Sequence, residues 1–174
     1  MTAEQALMFT RVAIAVLFLL SAGGKLLAMQ EFTRTVTDFR LLPRHWSKAA
    51  ALLFIAGEVA VVGLAAIGGS LLPAAFVLAV ALLAIFAVAL ASVLGRGIDM
   101  SCSCFGRSDR HISGYDIARN LLMLLCSLAG LWLLGYPRHG LPVGQAALLA
   151  LMGGVFVVLV VNLRDVVETL RQPF

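Results

Sequence analysis

Residues 71–94 read LLPAAFVLAVALLAIFAVALASVL, which is 24 consecutive residues without an ionisable side chain. A helix needs about 20 predominantly apolar residues to cross the hydrocarbon core of a bilayer, because it rises only about 1.5 Å per residue. In hydrocarbon, only helices and closed barrels satisfy all of their own backbone hydrogen bonds. This stretch therefore predicts a membrane-spanning helix.

Four further stretches of the chain are long and apolar enough to span a membrane. They are residues 7–29, 49–67, 117–136 and 141–163. Together with residues 71–94 they predict an all-α, polytopic membrane helical bundle that occupies residues 1–174 as a single transmembrane domain. We expect a four-helix core, a fifth transmembrane helix and a short interfacial amphipathic helix.

The overall composition supports a membrane protein. Hydrophobic residues make up 61% of the 174 residues and charged residues only 13%, and the mean hydropathy is +1.01. Soluble domains are roughly 45–50% apolar and about 25% charged, so the composition excludes a soluble enzyme domain. The net charge of +4 comes from basic residues scattered in short segments between apolar runs. This distribution favours membrane-flanking charge and not nucleic-acid binding.

The first apolar stretch resembles a secretory signal only in part. Small residues follow its apolar core, but a signal peptide begins with a basic segment, and the only ionisable side chain among the first ten residues is that of Glu4. We therefore expect a retained helix. The glycine pairs 23–24 and 153–154 either let neighbouring helices approach closely or reflect the general frequency of glycine in membrane helices.

Residues 30–43 carry the pattern of a short amphipathic helix. Phe32, Val36, Phe39 and Leu42 recur at helical spacing, with charged side chains mostly elsewhere around the helix. Such a helix lies in the plane of the membrane interface, and we expect Pro43 to end it. It serves either as an anchor or as a cover over a site at the same face.

The connection 95–114 contains the strongest chemical signal, because Cys102 and Cys104 stand one residue apart. The loop must bend for these two residues to form a disulfide, and a strained, accessible disulfide is easily reduced and restored. Ser103 and Gly106 make the turn feasible. Nearby cations stabilise the attacking thiolate; these are Arg96, Arg107 and Arg110. The pattern favours a redox-active dithiol.

Two other interpretations of the cysteines remain open. Cys102, Cys104 and His111 are ligands for Cu(I) or Zn(II), although a closed structural site needs a fourth ligand. A structural disulfide that only ties the loop is the other alternative. Cys126 lies too deep in its helix to meet the pair, so we expect it to be a small apolar core residue.

Glu58 is a carboxylate well inside a predicted span, where charge is costly and usually faces a partner or a cavity. Lys25 is the candidate partner, because both residues lie towards the face that carries the amphipathic segment. The pair either joins the first two spans or supplies a protonatable group beside a quinone or thiol site.

Several of these features together resemble the MauE family of methylamine-utilisation membrane proteins, which is related to DoxX. The features are Ser21-Ala-Gly-Gly-Lys25, Leu42-Pro43, Glu58 and Cys102-Ser-Cys-Phe-Gly106. The family also resembles, more distantly, the vitamin K epoxide reductase and DsbB class. The resemblance implies a DoxX-like four-helix core and puts the redox role on Cys102 and Cys104, with Phe105, Gly106, Arg107, Glu58 and Lys25 in support.

The resemblance further implies a thiol-disulfide maturation protein of the bacterial inner membrane. Its expected partners are the lipid bilayer, a thioredoxin-like periplasmic protein and a disulfide-rich client, the methylamine dehydrogenase small subunit in the family. Quinone is a candidate cofactor. The alternative is a non-catalytic membrane assembly or transport component whose Cys-x-Cys loop is structural or binds metal.

The charges near the cysteine loop and the chemistry of its cysteines favour opposite sides of the membrane. Five spans place both long connections on one side, and that side carries an excess of arginine and lysine, which the positive-inside rule assigns to the cytoplasm. Disulfide exchange belongs outside a reducing cytosol, and the resemblance agrees. We therefore expect the cysteine loop to face the periplasm.

Overall fold

The computed structural model describes residues 2–39, 43–96, 114–137 and 140–171, and within these ranges the regular structure is helical. The helices are α1 (Ala3–Leu27), α2 (Met29–Asp38), α3 (Arg44–Ile67), α4 (Leu72–Gly95), α5 (Gly114–Leu133), α6 (Val143–Val161) and α7 (Leu163–Arg171). Five of them, α1, α3, α4 with the turn before it, α5 and α6, are long and apolar enough to cross a membrane. The structure confirms the predicted all-α, polytopic bundle.

The bundle is built around α1, which packs against α3, α5 and α6, while α4 packs against α3 and α5. Fully buried side chains from five helices meet in one core, among them Ile14, Phe18, Phe76, Met123 and Val157. The opposite sides of the spans expose leucine, valine and isoleucine. This is the arrangement expected when lipid, and not water, surrounds the helices.

The five spans alternate in direction, so the connections fall on two faces. We call the "α2 face" the one that carries α2, the start of α3, the end of α4, the start of α5 and α7. Trp46 is exposed at the start of α3, and Trp132 and Tyr136 are exposed at the opposite end of the bundle. Exposed aromatic side chains at both ends are typical of the two membrane–water interfaces.

Several helix boundaries differ from those that the sequence predicts. α1 begins at Ala3, because Thr2 and Gln5 form a reciprocal capping box at its N-terminus. The predicted amphipathic helix exists as α2, but it ends at Asp38, and Pro43 immediately precedes α3 instead of ending α2. α7 was not predicted at all.

Glycines bring helices together at fewer places than the sequence suggests. A Cβ atom on Gly153 would lie 3.2 Å from the carbonyl oxygen of Phe9, so α6 and α1 do approach closely there. Gly23 and Gly154 have open space around the same position. The tightest contact is at Gly130, where a Cβ atom would lie 2.1 Å from the Phe76 ring. Close packing of α4 on α5 therefore depends on Gly130.

Arg11, one of the charges inside the first apolar stretch, caps another helix. Its Nε donates a hydrogen bond to the carbonyl oxygen of Ala65 at 2.7 Å, and its Nη2 donates to that of Ala66 at 3.0 Å. These carbonyl groups belong to the last turn of α3, where the helix supplies no donor of its own. A cation there also complements the negative end of the helix dipole.

Candidate functional site: a buried ion pair below the α2 face

Lys25 and Glu58 form an ion pair in the interior of the bundle, and each side chain is only 2% exposed. Lys25 Nζ donates a hydrogen bond to Glu58 Oε1 and another to Ser21 Oγ at 2.9 Å. The Ser21 hydroxyl in turn donates to the same Oε1 at 2.8 Å. The structure thus brings together the two charged residues that the sequence pairs, and it adds a serine.

Helix geometry explains why Ser21 and Lys25 lie together. Ser21 and Lys25 are four residues apart on α1, so they lie on the same side of that helix. Glu58 comes 14 residues after the start of α3, which is about 21 Å along its axis. Ser21 is a partner that the sequence-based pairing of Lys25 with Glu58 left out, although its spacing of four residues from Lys25 is a signal that could have identified it.

Three phenylalanine rings surround the Lys25 ammonium group. Their centroids lie 4.7 Å from Nζ for Phe54, 5.0 Å for Phe32 and 5.7 Å for Phe86. Ring faces attract a cation and at the same time exclude water from it. The rings come from α2, α3 and α4, whereas Lys25 belongs to α1. The pair is therefore a junction of four helices, and α2 covers it through Phe32.

Next to the pair lies a cavity of about 40 Å³, which α5 closes with Arg119 and Asn120. Asn120 Nδ2 donates a hydrogen bond to the carbonyl oxygen of Leu83 on α4 at 2.8 Å. Arg119 pairs with Asp116 at 3.4 Å. A cavity of this size accommodates water molecules, but it is too small for the aromatic ring of a quinone, so it lends no support to a bound quinone.

The end of α2 is tied to the end of α4. Arg96 Nη2 donates a hydrogen bond to the carbonyl oxygen of Phe39 at 2.7 Å, and the Phe39 ring packs against Ala89 and Val93. Arg96 Nε donates to the Ser92 carbonyl oxygen. The guanidinium group of Arg96 thus joins these two helices, and its expected effect on a cysteine thiolate stays a prediction because the cysteines lie outside the described residues.

The predicted redox residues lie outside the described part of the chain. These residues are Cys102, Cys104, Phe105, Gly106 and Arg107, and His111 also falls there. Cys126 is described: its free thiol is half-buried on α5, and the side chain packs against the main core. This environment confirms the prediction of a small apolar core residue.

Five apolar spans around a charged pair define a multi-pass helical membrane protein. Comparison with known proteins narrows this class: residues 3–133 match the model of the family described as "Methylamine utilisation protein MauE". The chain belongs to this family. The matched residues run from α1 to the end of α5.

Two relatives carry the name "Methylamine utilization protein MauE". The protein from Paracoccus denitrificans is 36% identical over 121 residues, which are 68% of this chain and 64% of that protein. The protein from Paracoccus versutus is 36% identical over 133 residues, 73% of this chain and 69% of its own length. The chain thus aligns with just under two thirds of the first relative. No solved structure matches the chain.

Proposed function

We propose that this chain is a membrane thiol-disulfide maturation protein that serves methylamine utilisation. The observation that carries the proposal is membership of a family whose members are named for that process, in a chain with a Cys-x-Cys pair between two membrane spans. In this proposal the chain lies in the bacterial inner membrane and supports disulfide formation in a periplasmic client, as a thiol-disulfide oxidoreductase.

The reaction is a pair of thiol-disulfide exchanges at Cys102 and Cys104. A client thiolate attacks one sulfur of the Cys102–Cys104 disulfide, which breaks and leaves a mixed disulfide with the client. The second client thiol then displaces this chain, so the client gains a disulfide and the chain becomes a dithiol. An oxidised thioredoxin-like partner restores the pair by the same exchange and accepts the two electrons. Quinone is assigned no step.

The cysteine segment begins and ends at the α2 face. Both described ends of the cysteine segment, Arg96 directly after α4 and Gly114 at the start of α5, lie at that face. The hydrogen bond from Arg96 to Phe39 joins the base of this segment to α2. The proposal therefore has α2 covering the region from which the cysteines meet their partners.

In this proposal Lys25 and Glu58 are positioning residues and not catalytic ones. Their ion pair joins α1 to α3, and Phe32 of α2 rests on the Lys25 ammonium group. In this proposal the pair, together with Phe32, helps to set where α2 rests on the bundle, and with it the base of the cysteine segment.

Trapping of mixed disulfides in cells tests the proposed chemistry. The Cys104→Ser and Cys102→Ser variants each keep one sulfur, so an exchange that starts on that sulfur cannot be resolved within the chain. We expect at least one of them to accumulate a reducible adduct with a thioredoxin-like or disulfide-rich protein. Cys126→Ser is the matched control, because its thiol is half-buried in the bundle core.

The same variants separate the proposal from its alternative. If neither variant forms an adduct and growth on methylamine survives both changes, the redox proposal fails. If both changes abolish growth without any adduct, and the purified chain retains copper or zinc, the non-catalytic metal-binding alternative replaces it.

Labelling with a membrane-impermeant thiol reagent tests the sidedness. A periplasmic loop predicts labelling of reduced Cys102 and Cys104 in cells whose outer membrane alone is permeable. Labelling only after lysis of the inner membrane would place the α2 face in the cytoplasm, as its excess of basic side chains favours.

A further inference from the structure

Within the described part of the chain, one oxygen atom of the buried pair has no hydrogen-bond partner. Glu58 Oε1 accepts from both Lys25 and Ser21, whereas Oε2, which has almost no accessible surface, accepts from none of the residues that the structure describes. Buried acceptors in folded proteins are almost always satisfied by protein or by ordered water, because an unsatisfied one keeps the full cost of its desolvation. A donor is therefore required at this position.

The cavity beside Glu58 offers room for that donor. Its volume of about 40 Å³ exceeds the 10–15 Å³ or so that one water molecule needs. Besides Glu58, the lining includes four polar side chains, those of Ser21, Lys25, Arg119 and Asn120, among apolar walls from α1, α3 and α4. A water site needs two to four polar partners, and this lining supplies them.

The polar lining leads from the pair towards the α2 face. Arg119 and Asn120 come five and six residues after Gly114, which is about 8–9 Å along α5 from its first residue. Arg119 and its partner Asp116 are 13% and 23% exposed, so this ion pair touches both the cavity and the surface. Polar side chains of α5 thus lie between the cavity and the start of that helix at the α2 face.

Charged side chains near Glu58 come from α1 and α5. α1 contributes Lys25, and α5 contributes Arg119 with Asp116. α2 contributes the Phe32 ring to the junction, with the charged side chains of Glu31, Arg34 and Asp38 elsewhere around that helix. α4 contributes no ionisable side chain between Leu72 and Gly95.

We propose that the cavity is an internal water-binding site, and that after a small rotation of the Glu58 carboxyl group its water donates to Oε2 and passes protons between Glu58 and the α2 face. In the transfer, a proton moves from the water phase onto Oε2 and no other bond changes. The Lys25–Glu58 pair then goes from neutral to a single positive charge, which the three phenylalanine rings and Ser21 continue to hold. This inference concerns the bundle alone and does not depend on the chemistry of the cysteines.

Infrared difference spectroscopy of the purified full-length chain in lipid nanodiscs tests the proposal. Acidification should produce a protonated-carboxyl band that is missing in the Glu58→Gln variant. On transfer to D₂O this band should shift within the mixing time, because water already lies beside the carboxyl group. In Asn120→Leu, which removes a polar group from the lining, the shift should slow by a factor on the order of ten, since access then requires local opening of the bundle.

Two further variants keep the result decisive. Ser127→Ala changes another buried polar residue of α5 whose hydroxyl donates to its own helix, at the Met123 carbonyl oxygen, and it should leave the exchange unchanged. If Glu58→Gln fails to fold, the double variant Lys25→Met/Glu58→Met, which removes both charges, supplies the baseline spectrum. The proposal is overturned if no band is lost in the Glu58 variants, if exchange in the natural chain takes as long as that of core amides, or if Asn120→Leu exchanges as fast as the natural chain.

Discussion

Substitution of Lys25 or Glu58 alone should lower the free energy of unfolding more than substitution of both together. A double-mutant cycle measures this difference. Both side chains are 2% exposed, so removal of one partner leaves an uncompensated charge in a medium of low dielectric constant. Such a loss costs about 3–5 kcal/mol in folded proteins. Methionine matches the length of both side chains, so Lys25→Met and Glu58→Met change charge with little change of volume.

The groups around Lys25 and Glu58 determine how much stability each single variant loses. After Glu58→Met the ammonium group keeps Ser21 and three phenylalanine rings, and each cation–ring contact is worth about 0.5–2 kcal/mol. We therefore expect a loss near the lower end, about 3 kcal/mol. Lys25→Met leaves the carboxylate with the Ser21 hydroxyl as its remaining side-chain donor among the described residues and should also cost about 3 kcal/mol or more.

The double variant Lys25→Met/Glu58→Met should recover most of this loss. Replacement of a whole buried pair by apolar side chains is commonly neutral or stabilising, so its stability should lie within about 1 kcal/mol of the natural chain. The free energy of unfolding is measured by denaturant titration in mixed micelles, with Ser127→Ala as a buried polar control. Single losses below about 1 kcal/mol, or a double variant as unstable as the worse single one, would refute the reasoning.

Three other substitutions test the packing and the connections of the helices. Gly130→Ala should destabilise the bundle by about 1–3 kcal/mol, since the added methyl group overlaps the Phe76 ring, whereas Gly154→Ala meets open space and should be tolerated; thermal melting in detergent compares the two. Arg11→Met removes both donors from the last turn of α3 and should cost about 1–3 kcal/mol, and an unchanged melting temperature would contradict the capping role. Arg96→Gln should speed amide hydrogen exchange in α2 without changing that of α6, because the guanidinium group ties the end of α2 to α4.

Family membership and structure support different parts of the functional argument. The match to the MauE family covers residues 3–133, which include the ion pair, α2 and the cysteine segment. The structure adds a four-helix junction around Lys25 and a cavity beside Glu58. Membrane insertion and family are therefore shown, and the thiol-disulfide chemistry is the part that the trapping experiment decides.

The sequence by itself determined the five spans, because the length of an apolar run is a local property that a bilayer selects directly. It also predicted α2, whose apolar side chains recur at helical spacing, and the partner of Glu58, since a carboxylate inside a span needs a cation and Lys25 lies near the same face. In each case the decisive physical term is the cost of polar groups in hydrocarbon.

Only the tertiary structure decided which faces of the helices meet. Nothing in the apolar runs distinguishes Gly153, which packs against α1, from Gly154, which has space around it. The three rings around Lys25, the carbonyl groups that Arg11 caps and the polar lining from Arg119 to Glu58 join residues far apart in the chain. Such contacts depend on the rotation and order of the helices, and in lipid these are set mainly by packing between side chains, because apolar residues lie on the core-facing and lipid-facing sides of the spans alike.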